Sequence, residues 1–179
     1  MAVLLRLASW VDRLSLAAAW FGRWLVLVCC VVSAGNALLR YAFSIGSNAW
    51  LEVQWYMFAG IVMLGGAYTL KANEHIRIDL LYGRLSPRGR AWLDVLATLF
   101  LFLPIVILLT WLSAGFFLQS WHSGEASNNV GGLPLWPAKM LLPLGFGLLL
   151  LQGLAEMIKR LGLLLSVHEL DMHYEKPAQ

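Results

Sequence analysis

The sequence predicts an all-α integral membrane protein: four transmembrane helices, both termini cytoplasmic, and an interfacial cytoplasmic loop between the second and third. Three observations carry this. Hydrophobic residues make up 60% of the chain, charged residues only 13%, and the mean hydropathy is +0.71. Soluble domains carry about 25% charged residues, so a free cytosolic protein, a disordered chain and a nucleic-acid binder are excluded. Four windows approach the roughly 20 apolar residues that a helix needs to cross a bilayer core. Eleven of the thirteen basic residues fall on one side of those windows, the asymmetry that sets cytoplasmic sidedness.

The first window is charge-free from Trp24 to Leu39, between Arg23 and Arg40, and can borrow the apolar turn before Arg23. Residues before it, about 1–23, read as an N-terminal interfacial segment. A cleaved signal peptide would need a shorter and more polar start, so an uncleaved anchor is expected. The second window runs from Val53 to Leu70 and the third from Val95 to Trp121. The fourth runs from Met140 to Ala155, with Leu133 to Leu135 able to extend it. Pro104 and Pro143 inside the last two should kink their helices. The tail from about 161 to 179 is cytoplasmic, and residues 1–179 form one membrane domain.

Tryptophans fit these depths. Trp10, Trp20, Trp24 and Trp92 fall at the expected cytoplasmic interface, and Trp50, Trp55, Trp121 and Trp136 at the other. Only Trp111 is well inside a span. Amphipathic rings gather at interfaces.

Chemistry is sparse. Cys29 and Cys30 are adjacent in an apolar run, so they imply neither a disulfide nor a metal site. No nucleophile–base pair, phosphate loop or zinc set is present, and no histidine lies in a window where it could hold a haem. No cofactor is expected. A carrier acting alone should show mid-membrane ionisable groups or broken helices in two repeats, and the windows show neither.

Three polar stretches remain. At the end of the first window stands Asn36-Ala37-Leu38-Leu39-Arg40-Tyr41, where Arg40 can snorkel and Asn36 can bond a neighbouring helix. Ser33 and Ala37 form a small-xxx-small pair on nearly the same face. Next, Asn48 is expected to cap the second helix, with Glu52 in its first turn beside Trp50, Gln54, Trp55 and Tyr56. The third is the loop Lys71-Ala72-Asn73-Glu74-His75-Ile76-Arg77-Ile78-Asp79, whose alternating charges suit an interfacial position. Ser86-Pro87 then reads as N-cap and first residue of the third helix, with Arg88 and Arg90 at its cytoplasmic end.

In this order the stretches resemble the small four-helix permease subunit of tripartite ATP-independent periplasmic (TRAP) transporters, the DctQ-like family. The carrying residues are Asn36…Arg40-Tyr41, Trp50-x-Glu52, Gly65-Gly66-Ala67-Tyr68-Thr69-Leu70-Lys71, Glu74-His75-Ile76-Arg77-Ile78-Asp79 and Leu85-Ser86-Pro87, over about residues 20 to 160. The resemblance implies a bacterial inner-membrane location and a large permease that holds substrate and sodium sites. It also implies a periplasmic substrate-binding protein and organic acids as substrates. The small subunit would be a static scaffold. Trp55-Tyr56 and Gly131-Gly132-Leu133-Pro134-Leu135-Trp136-Pro137 look like the branch associated with keto acids and related carboxylates. Candidate interface or structural residues are Asn36, Arg40, Trp50, Glu52, Glu74, His75, Arg77, Asp79 and Arg88. Membrane lipids are further expected partners, and nucleic acid is not. A membrane anchor of a redox enzyme and a free-standing small transporter are the alternative classes.

Overall fold

The computed structural model describes residues 1–72 and 85–165. Glu74, His75, Arg77 and Asp79, with the interfacial loop they define and most of the expected tail, lie outside the described residues. Five α-helices build four rods: α1 (Ala2–Phe43), α2 (Asn48–Lys71), α3 (Pro87–Ala97), α4 (Leu103–Ser123) and α5 (Trp136–Leu164). A π-helical turn, Thr98–Phe102, welds α3 to α4. All four rods are long and apolar enough to cross a membrane. The chain is a multi-pass membrane protein.

Local chemistry explains the ends. Ser86 caps α3, its Oγ accepting from the Gly89 N–H at 3.2 Å, and Pro87 opens the helix as expected. Pro104 has no N–H for the preceding turn, and the strain is taken up by the π turn just before it. α1 closes on Ser44 at φ 55°, and α4 on Gly124 at φ 62°.

Residues 2–23, expected as an interfacial segment, continue without a break into the first span as one helix, Ala2–Phe43. Three expectations are corrected. Ser47, not Asn48, holds the N-cap position of α2, and the Asn48 amide instead donates to the Val130 carbonyl at 3.3 Å. Glu52 therefore lies beyond the first turn. Leu133 to Leu135 precede α5, since Pro137 starts it at Trp136.

α5 is the hub, packing against α1, α2, α3 and α4. Its glycines allow this. A Cβ on Gly145 would lie 2.6 Å from Met63 Cβ and 2.9 Å from the Met63 carbonyl, and one on Gly153 would run into the Phe102 ring. Small residues give membrane helices close approach where no hydrophobic force between them operates.

Candidate functional site

Polar side chains collect in two belts at opposite ends of the bundle. In the first, buried Ser15 of α1 donates to Gln152 Oε1 at 2.7 Å. The Gln152 amide donates to Asp12 Oδ1 at 2.8 Å and Glu156 Oε1 at 3.0 Å. Lys159 bridges the same two carboxylates, at 3.2 Å to Asp12 and in a close ion pair with Glu156. Arg160 pairs with Asp94 of α3. Lys159 and Arg160, which count toward the basic bias in sequence, are thus neutralised by acids from three helices.

The second belt holds a loop. Glu52 accepts from the Ser127 hydroxyl, from Asn129 Nδ2 at 2.8 Å and from the Leu133 N–H at 2.7 Å. The Tyr56 hydroxyl donates to the Pro134 carbonyl at 2.9 Å. Within the loop, Ala126 and Pro134 form an isolated antiparallel bridge, and Leu135 N–H donates to Glu125 O at 3.0 Å. Gly131 turns it at φ 73°. Lys139 of α5 reaches back to Glu125, and that hydrogen bond holds the Glu125 carboxyl below the usual carboxylate range. A cleft of about 560 Å³ lined by Asn48, Leu51, Glu52, Trp55 and Tyr56 opens beside the loop. Glu52 is engaged by three donors, so it is placed to hold backbone rather than to act as a base.

The candidates do not converge. Among the described residues, no hydrogen bond or ion pair joins the Glu52 carboxylate to Asn36, Arg40, Trp50 or Arg88. Asn36 is half-buried without an interhelical hydrogen bond, while Arg40, Trp50, Arg88 and the Ser33/Ala37 pair are exposed. Sequence reasoning missed Asp12, Ser15, Asp94, Glu156, Ser127 and Asn129. One signal was available: Gln152, Glu156 and Lys159 recur at i, i+4 and i+7, which places them on one helix face.

Register also relocates one charge. Gly60 of α2 faces Leu25 and Leu141, and Leu25 stands ten residues beyond Ser15, about 15 Å at helical rise. Glu52 stands eight residues beyond Gly60, about 12 Å further. The belts are therefore roughly 27 Å apart, near the thickness of a bilayer core. Arg23, about 12 Å from the Ser15 level, lies midway. On this register Arg23 and Trp24 stand opposite the middle of α2 rather than at its end, so the stretch of α1 packed against α2 begins before the charge-free window. A lone arginine at the centre of a spanning helix costs about 2.5–3.5 kcal/mol on insertion scales.

The family model described as "Tripartite ATP-independent periplasmic transporters, DctQ component" matches residues 27–163. A Haemophilus influenzae (strain ATCC 51907 / DSM 11121 / KW20 / Rd) protein provisionally named a TRAP transporter small permease protein is 25% identical over 103 residues. That match covers 55% of this chain and 59% of the relative, so the chain spans little more than half of that protein. No solved structure matches the chain.

Proposed function

The chain belongs to the DctQ component family of TRAP transporters, and from that premise we propose that it is the static scaffold of a sodium-coupled transporter for organic acids. In this reading it packs against a large permease, which carries the substrate and sodium sites, and offers its Glu52 end to a periplasmic substrate-binding protein. Both termini lie in the cytoplasm. Exposed Arg40, Trp50 and Arg88 and half-buried Asn36 are then available to partners or headgroups, and Glu74, His75, Arg77 and Asp79 belong to the cytoplasmic loop.

The observation that supports a scaffold best is the placement of its charges. Asp12, Glu156 and Lys159 satisfy one another, as do Asp94 and Arg160, and Glu52 is held by its loop. Groups so engaged brace helices and leave little to bind and release an ion, whereas transporter sites use ionisable residues facing a cavity. Reconstitution tests this. In liposomes with the binding protein but without the large permease, this chain should give no sodium-dependent uptake of any organic acid. Adding the large permease should restore it. Uptake without the large permease would overturn the scaffold reading.

A further inference from the structure

We propose that the groove between α1 and α2 receives a transmembrane helix of another chain, and that this helix sets a carboxylate against Arg23. The inference rests on the scaffold reading in one respect: the partner is the large permease. The groove, about 670 Å³, is lined by Ala19, Gly22, Arg23, Val62, Gly65 and Gly66 among others. A Cβ on Gly22, Gly65 or Gly66 would meet nothing within 4 Å. Contrast Gly145 and Gly153, which are filled by neighbours inside the bundle. Three helical glycines cost helix propensity, and although Gly22 is buried and Gly65 and Gly66 half-buried, no neighbour in this chain occupies the space a side chain would fill. That space is filled when a second backbone lies in the groove.

Arg23 says what that helix carries. It lines the groove from an exposed position midway between the belts, and among the described residues no carboxylate pairs with it. The described acids at its own end, Asp12, Asp94 and Glu156, are already paired with Lys159 and Arg160. Intramembrane arginines are retained where they pair or face a protein interior, so the missing partner is an anion at mid-depth. A lipid phosphate is an anion too, but it sits at headgroup level, about 12 Å away along the helix. An aspartate or glutamate on a partner helix meets the charge where it stands.

The test uses the full chain co-expressed with the large permease. A photo-crosslinking amino acid at Val26 or Val62, both exposed on the groove, should yield an adduct with a transmembrane segment of the permease that contains an acidic residue. Separately, Arg23→Glu should cut the permease recovered by affinity purification about tenfold or more, since like charges face each other at the contact. Arg23→Lys should keep most of it. Wild-type recovery with Arg23→Glu, or adducts with lipid alone, would overturn the proposal. The crosslinking arm keeps Arg23 intact, so it reads the groove even if Arg23→Glu fails to insert. If the unmodified chain recovers no permease, the scaffold reading falls and takes this inference with it. If permease is recovered but never crosslinks from the groove, only this inference falls.

Discussion

The two polar belts solve different problems with the same residue types. At the Ser15–Gln152 end, carboxylates, an amide and two cations from three helices bond one another, side chain to side chain. At the Glu52 end, one carboxylate, one hydroxyl and one amide bond mostly to loop backbone, at Leu133, Pro134 and Val130. The first belt fixes how helices cross. The second fixes the shape of a surface. A rigid bundle therefore presents a loop whose form depends on side chains of α2 and α5 as well as on its own backbone hydrogen bonds.

That difference sets an order of expected effects. Lys159→Ala should be the most damaging, because it strands Asp12 and Glu156 together where their side chains are only 21% and 12% exposed. Removing one member of a buried ion pair costs about 3–5 kcal/mol, which a thermal melt of the detergent-solubilised chain would register as a large fall in Tm. An unchanged Tm would show that the belt is wet and weak.

Gly145→Val probes the seam between the belts. Its new Cβ meets the Met63 backbone carbonyl, which cannot rotate away as the Met63 side chain can, and overpacking of this kind costs about 1–3 kcal/mol. The expected readout is a smaller Tm loss than for Lys159→Ala. A loss as large would shift the weight of stability from ion pairs to close packing.

Glu52→Gln should act locally. The amide keeps one acceptor oxygen but turns an NH2 toward donors of the loop, so residues 125–135 should be nicked several-fold faster by protease while Tm barely moves. A global Tm loss matching that of Lys159→Ala would erase the distinction between the belts.

The smallest effect concerns pH. The Glu125 carboxyl is held below its ordinary value of 4.5 by Lys139, so its contribution is full above that value and is lost as pH falls through the lower folded pKa. Protease resistance of the loop should be flat from neutral pH to about 5 and decline below that. Lys139→Met should flatten the decline.

The four rods were legible because a bilayer demands long apolar runs and says so in composition. Ser86-Pro87 was legible because capping is local: the hydroxyl, the missing N–H and the helix start fall within four residues. The belts were not, because they are pairings at a distance. Ser15 and Gln152 are 137 residues apart, and Glu52 meets Leu133 across 81. Nothing in Asp12 or Asp94 alone distinguishes a buried partner from a solvated charge. The same blindness hid the register of the first helix. Arg23 looked like an end because a charge usually is one, and only the packing of Leu25 on Gly60 sets it opposite the middle of α2.

One detail of the third rod bears on which deletions it can take. Val106, Ser113 and Ser120 are buried at intervals of seven residues, while Val95 and Leu103 are separated by eight. The wide turn at Thr98–Phe102 accommodates that odd residue. A π turn holds one residue more than the α-helix it interrupts, so it takes up the odd residue without rotating Asp94 away from Arg160. The chain should therefore tolerate deletion of Phe100, which returns the rod to unbroken α-helix in phase. A one-residue deletion at Leu109 would instead swing one half of the rod by about 100° and part it from α5.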